Sequence, residues 1–197
     1  ANDALYVRVN GSLNTKTETL ANLAEHVTTA MVRDARANVI LDLRYDFGGD
    51  YTLSLHLVKG VANALSLRGH IYMITGPNTF SAGLITATQM KRFAPPSSLT
   101  IVGDDVGDTL RFRAEGFVIP LPATKIEVYV PSAWDDVGKG CGLLDDCWPP
   151  NKFLLKGVGT LEPDIRVAND WASYREGRDL VVELILSDIA NRSADRR

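Results

Sequence analysis

A serine, Ser81, stands at the junction between an apolar segment and a helical pattern, where a hydroxyl can be aimed as a nucleophile. The segment before it, 70–75, is short, apolar and prone to β-structure, which predicts an interior strand. The segment after it is expected to form a helix that ends near Phe93, before Pro95. The first N–H groups of that helix are potential donors to an oxyanion beside the hydroxyl. The alternative is that the serine side chain only caps the helix.

Two adjacent glycines, Gly48 and Gly49, occupy a second junction of the same kind, between the apolar segment 38–44 and a further helical pattern. Glycine accepts positive φ and lets its backbone approach another group closely. Strand-to-helix turns of a parallel sheet lie on the same side of the sheet. We therefore expect the N–H of Gly48 or Gly49 to lie beside Ser81, together with the N–H of Ala82.

Both turns resemble those of the tail-specific, or C-terminal-processing, serine peptidases. That family carries an Asp-Leu-Arg-x-Asn-x-Gly-Gly turn, followed by a Thr-Phe-Ser-Ala turn that holds the nucleophile. Here residues 42–49 read Asp-Leu-Arg-Tyr-Asp-Phe-Gly-Gly, with Asp46 where the family usually has Asn, and residues 79–82 read Thr-Phe-Ser-Ala. Three later segments are similar to family segments in the same order: 101–107, 157–167 and 177–180.

Strand and helix patterns alternate from the N-terminus to about Val102, which predicts βαβ crossovers and a parallel sheet. Short strand patterns then follow at 110–113, 117–119 and 125–130, separated by Gly116 and Pro122, and we expect a β-rich C-terminal subregion there. A last helix is predicted over 178–190. The resemblance implies an α/β fold of the crotonase-like, or Clp-protease-like, ββα spiral type. It also implies one peptidase-core-like domain over residues 1–197, as a fragment of a longer protein.

The amino-acid composition and net charge limit the classes of molecule that this chain is expected to bind. A chain of 197 residues with 45% hydrophobic residues can bury a substantial core. The net charge is -3 and the basic residues are scattered, which argues against a nucleic-acid partner. No apolar run reaches transmembrane length. We expect a peptide or protein substrate, no cofactor and no bound metal, with a further upstream domain of the same chain as a possible partner.

The two cysteines, Cys141 and Cys147, bound a loop rich in Gly and Pro. A disulfide between them would place the protein in an oxidising compartment, periplasmic or extracellular. A metal site is the second interpretation, although no Cys-x-x-Cys pair is present. Two free thiols in a cytoplasmic protein are the third.

A serine hydroxyl needs a neighbouring base to become a good nucleophile. Many members of the family use a lysine in the glycine loop after the next strand, but the corresponding loop here, 103–109, has none, and Asp108 stands near that position. The tricorn-like branch uses a histidine from well upstream of this core. We therefore expect the base to come from outside this segment.

The internal candidates for the base are weak. His26 and His56 fall within helical patterns, and His70 begins the strand whose other end leads to Ser81. Lys91 lies about three turns along the helix that Ser81 opens, which is beyond hydrogen-bond reach.

Three function classes follow from these residues. The first is a serine-type peptidase in which Ser81 attacks a peptide carbonyl while the N–H groups of Ala82 and of Gly48 or Gly49 hold the oxyanion. The second is a non-catalytic peptide- or ligand-binding module on the same fold. The third is a crotonase-type acyl-CoA enzyme, which also stabilises an enolate with backbone N–H groups. The Thr-Phe-Ser-Ala run and the lack of a basic cluster for the adenine nucleotide argue against this third class.

Overall fold

The computed structural model describes residues 4–34, 37–65, 69–168 and 170–194. Within them the strands are β1 Ala4–Arg8, β2 Asn38–Asp42, β3 His70–Thr75, β4 Leu99–Gly103, β5 Arg111–Pro120, β6 Glu127–Asp136 and β7 Ile165–Arg166. The helices are α1 Leu20–Arg33, α2 Tyr51–Ala64, α3 Ala82–Phe93, α4 Asn151–Leu154, α5 Trp171–Arg175 and α6 Leu180–Ala194.

The chain divides into two compact units. The first comprises Ala1–Gly107 and Leu161–Arg197, and the second comprises Asp108–Thr160. The first unit contains a five-stranded parallel sheet in the order β1-β2-β3-β4-β7. The second contains the antiparallel pair β5-β6. The expected α/β fold, with a mostly parallel sheet followed by a β-rich region, is confirmed.

The sheet of the first unit aligns the ends of its central strands. Asp42 at the end of β2 pairs with Ile74, and Thr75 at the end of β3 pairs with Gly103 at the end of β4. Because the strands are parallel, the turns that leave β2 and β3 emerge at the same edge of the sheet. The register therefore brings the two strand-to-helix turns to one place.

The core lies on both faces of this sheet. Every residue of β2 and β3 is buried, which accounts for their continuous apolar character. On one face, Tyr72 and Ile74 pack with Val181 and Ile185 of α6. Side chains alternate along a strand, so the opposite face is formed by residues such as Met73, which is fully buried.

Two elements differ from the sequence expectations. Segments 110–113 and 117–119 belong to one strand, because Gly116 continues β5 rather than ending it. A Cβ at Gly116 would lie 2.1 Å from the carbonyl oxygen of Val130 on β6, so glycine is what this close pairing requires. The last helix begins at Leu180 and extends to Ala194, beyond its predicted end.

The disulfide between Cys141 and Cys147 is present in the second unit, with the Cα atoms 6.0 Å apart. It excludes the alternatives of free thiols or a thiolate metal site at these residues. No helix among the described residues combines the length and apolar character needed to cross a bilayer.

Candidate active site

Ser81 has a backbone conformation that is rare for a residue with a side chain. Its φ is 53° and its ψ is -120°. A non-glycine residue in this region costs about 1–3 kcal/mol, and such strain is concentrated at functional sites. Ser81 occupies the N-cap position of α3, but its side chain makes no capping hydrogen bond. Helix capping therefore does not explain why this position carries a hydroxyl group.

The turn that holds Ser81 is fixed to the end of β2 by a buried threonine. The Thr79 hydroxyl donates to the carbonyl oxygen of Leu43 at 2.8 Å and accepts from the N–H of Gly76 at 3.1 Å. The N–H of Phe80 donates to the carbonyl oxygen of Asp46 at 3.0 Å. The Thr of the Thr-Phe-Ser-Ala run is thus a structural residue, a role that the sequence pattern does not reveal.

The glycine turn lies directly against Ser81. Gly48 and Gly49 have φ values of 118° and 132°, which side chains rarely adopt. A Cβ at Gly48 would lie 2.8 Å from Ser81 Cβ, 3.2 Å from its Oγ and 3.4 Å from the amide nitrogen of Ala82. A Cβ at Gly49 would lie 2.3 Å from the carbonyl oxygen of Ser12. Close packing and positive φ together explain why both positions are glycine.

The backbone N–H groups around Ser81 differ in their partners. The N–H of Gly48 donates to Asp46 Oδ1 at 3.2 Å. Within the described part of the chain, the N–H groups of Gly49 and Ala82 have no hydrogen-bond acceptor. Each of the two turns therefore has one backbone N–H group without an acceptor among the described residues.

Asp46 is a fully buried acid between the two turns. Its carboxylate accepts hydrogen bonds from the Ser12 hydroxyl at 3.1 Å and from the N–H of Gly48. Burial raises the pKa of this carboxyl to about 6, against an ordinary value of 3.8. The sequence showed only that the residue departs from the family pattern.

No described side chain hydrogen-bonds to the Ser81 hydroxyl. His26 and His56 are exposed on α1 and α2. His70 is buried at the opposite end of β3, where its ring pairs with Thr100 Oγ1 at 2.8 Å. Lys91 lies in the last turn of α3. These residues do not form a base for Ser81 in this structure.

The Asp-Leu-Arg part of the first motif forms an ion-pair cluster. Arg44 pairs with Asp42 at 2.8 Å and with Asp179 at 2.6 Å. The Asp42 side chain is 1% exposed and that of Arg44 is 10% exposed. Asp42 is the last residue of β2 and Asp179 directly precedes α6. The two ion pairs of Arg44 therefore link the last helix to the sheet. These residues support the fold around the two turns.

An apolar groove of about 310 Å³ adjoins the glycine turn on the side of α1. Phe47, immediately before Gly48, forms part of its wall and is 60% exposed. Leu13 and Leu23 line it as well, with Arg8 and Glu18 among its polar residues. The groove therefore offers an apolar surface at Phe47, the residue before Gly48.

The fold resembles solved structures of proteases and of a lipoprotein. A protein from Bacteroides fragilis that is assigned to the S41 proteases matches with a TM-score of 0.56 and 11% identity, over 95% of this chain and 54% of that one. A photosystem II D1 C-terminal processing protease matches with a TM-score of 0.49 and 15% identity, over 83% of this chain and 42% of that one. A lipoprotein from Streptococcus agalactiae matches with a TM-score of 0.48 and 12% identity, over 89% of this chain and 66% of that one.

The sequence matches no family model and no curated protein. At 11% identity, the likeness to the Bacteroides fragilis protein establishes a shared fold. The chain has the S41 protease-like fold, so the resemblance to tail-specific peptidases is confirmed at this level. This chain spans 54% of the length of the Bacteroides fragilis protein and 42% of the length of the processing protease.

Proposed function

We propose that this chain is the core of a serine-type peptidase, with Ser81 as the nucleophile. The observation that carries this proposal is the contact between the two turns. A strained serine without a capping role lies against Gly48. The N–H groups of Gly49, which follows Gly48, and of Ala82, which follows Ser81, have no acceptor among the described residues. Strain at a serine beside such donors is typical of a catalytic turn.

The proposed reaction follows from these atoms. Ser81 Oγ attacks the carbonyl carbon of a peptide bond as its proton passes to a base. The carbonyl oxygen becomes negative and accepts hydrogen bonds from the N–H groups of Ala82 and Gly49. Gly48 shapes the turn, since its own N–H is bound by Asp46. One such donor is typically worth about 10²–10³ in rate.

The intermediate then collapses. The carbon–nitrogen bond breaks, the leaving amine takes the proton from the base, and an ester remains on Ser81. Water hydrolyses the ester and restores the hydroxyl, with the same base accepting and returning a proton. The apolar groove beside Phe47 provides a surface on which an apolar side chain of the substrate can rest.

The base is expected from a part of the parent protein outside this segment. The described residues place no group within hydrogen-bond distance of the Ser81 hydroxyl, and general-base assistance is typically worth about 10²–10⁴-fold. We therefore expect this chain alone to react slowly and the longer chain to react fast. The Cys141–Cys147 disulfide supports a periplasmic or secreted location for the protein.

A non-catalytic peptide-binding module is the second candidate. It is favoured by one observation, namely that the Ser81 hydroxyl has no hydrogen-bonding partner among the described residues. A binding module would keep the groove and the two turns but would not need a base. The crotonase-type alternative gains no support from the structural neighbours described above.

A fluorophosphonate probe distinguishes the two candidates. Ser81 Oγ would displace fluoride and form a bond to phosphorus, which intact-mass and peptide mass spectrometry detect. We expect slow labelling of this chain, fast labelling of the longer parent chain, and none after Ser81→Ala. Ser97→Ala is the matched control, because Ser97 is exposed and also has a positive φ, of 61°. An unlabelled parent chain would reject the peptidase and favour the binding module.

A further inference from the structure

Asp46 is the residue that joins the two turns of the candidate site. Its carboxylate accepts from the N–H of Gly48, and its carbonyl oxygen accepts from the N–H of Phe80, next to Ser81. A Cβ at Gly83, in the first turn of α3, would lie 2.8 Å from Asp46 Cγ. The same residue therefore touches the glycine turn, the serine turn and the start of α3.

The surroundings of the Asp46 carboxyl carry no compensating charge. Ser12 faces it from the loop between β1 and α1, and the hydroxyl chain continues to Thr86 of α3 at 3.4 Å and to Ser54 of α2 at 2.6 Å from Thr86. All of these residues are fully buried. No charged side chain of the described residues affects the ionisation of the carboxyl, and burial raises its pKa to about 6.

We propose that Asp46 is a positioning residue that weakens the oxyanion site when its carboxyl is ionised and restores it when the carboxyl is protonated. This inference rests on the proposed function of Ser81. The ionised carboxyl holds the Gly48 N–H in a charge-assisted hydrogen bond, which is about twice as strong as a neutral one. This bond keeps the Gly48 N–H turned away from the oxyanion. The ionised carboxyl also places a negative charge behind the turn that must stabilise a second negative charge, and like charges in a buried site repel strongly.

The protonated carboxyl removes both effects. Its Oδ2 can donate to the Ser12 hydroxyl, which in turn can donate to Thr86. The Gly48 N–H then bonds to a neutral carbonyl oxygen and is held less tightly. An amide at this position would imitate the protonated form at every pH, because it carries an N–H donor group and a carbonyl acceptor in place of the O–H and C=O of the acid.

Labelling rates of the parent chain with a fluorophosphonate, measured from pH 5 to pH 8, test this inference. We expect the ratio of the Asp46→Asn rate to the wild-type rate to be near one at pH 5 and to rise about tenfold or more by pH 8. The ratio removes the titration of the base, which both proteins share. Asp50→Asn is the matched control, since Asp50 is exposed in the same turn and asparagine also caps α2.

A second measurement needs neither a variant nor activity. The amide resonance of Gly48 in the wild-type chain should shift with pH around a midpoint near 6, since its acceptor titrates there. A ratio that stays flat from pH 5 to pH 8 at a labelled Ser81 would overturn the inference. If neither protein labels, the proposed function fails, and a Gly48 resonance that does not respond to pH rejects the role of Asp46 independently.

Discussion

Replacing Asp46 by asparagine should stabilise the protein at neutral pH and leave its stability little changed in acid. The carboxyl ionises near pH 6 in the folded chain and near 3.8 when it is free in solution. The folded state therefore holds this proton more tightly than the unfolded state does. A raised carboxyl pKa contributes stability below about pH 4 that is lost as the pH rises towards 6. The difference in pKa corresponds to about 3 kcal/mol.

The asparagine side chain does not titrate, so the Asp46→Asn protein escapes this loss. Its amide oxygen can accept from the N–H of Gly48, and its amide nitrogen can donate to Ser12. The free energy of unfolding of the variant, minus that of the wild type, should therefore rise by about 2.4 kcal/mol between pH 4 and pH 7. This gain concerns the folded state alone and does not depend on catalysis.

Urea unfolding followed by far-ultraviolet circular dichroism at pH 4, 5, 6 and 7 measures this difference. The Asp50→Asn control should show a small difference that changes little with pH, because Asp50 is exposed. A difference between Asp46→Asn and wild type that is constant across this range would refute the reasoning. It would show that the buried carboxyl has the same proton affinity in the folded and unfolded chains.

Three further predictions concern the supports of the site. Arg44→Met should cost about 3–5 kcal/mol in urea unfolding, because it leaves a buried carboxylate unpaired; a loss below 1 kcal/mol would contradict the buried ion pair. Gly48→Ala should abolish labelling of Ser81 while circular dichroism still reports a folded chain, since the new methyl group would overlap the serine; undiminished labelling would reject the contact. The double variant Cys141→Ser/Cys147→Ser should lower the free energy of unfolding by about 2 kcal/mol, as expected for a short closed loop. Thiol titration of wild-type protein never exposed to reductant should detect no free thiol.

The sequence predicted the sheet because its strands carry a simple pattern. β2 and β3 are wholly buried, so they appear in the sequence as short apolar runs. The two glycines after β2 indicate a tight turn. The disulfide was also predictable, since the loop between Cys141 and Cys147 is short and rich in glycine. The second unit was harder to predict. Gly116 looks like a break, although here it permits close strand pairing.

The finer parts of the site could not be predicted from the sequence. Thr79 and Asp46 act through hydrogen bonds to residues distant in the chain, Leu43 and Ser12, and no local pattern encodes such partners. The role of the Ser81 hydroxyl is predicted from its place between a strand and a helix and from the Thr-Phe-Ser-Ala motif, and it stays a prediction. Its strained φ became visible only with the backbone of both turns.

The structure of a phosphonate adduct of this chain, formed by prolonged incubation, tests the central claim most directly. We predict phosphorus bonded to Ser81 Oγ, with one phosphoryl oxygen about 2.7–3.1 Å from the amide nitrogens of Ala82 and Gly49. Phosphorus on another residue, or a phosphoryl oxygen at Ser81 that no backbone N–H contacts, would contradict the proposed nucleophile and oxyanion site.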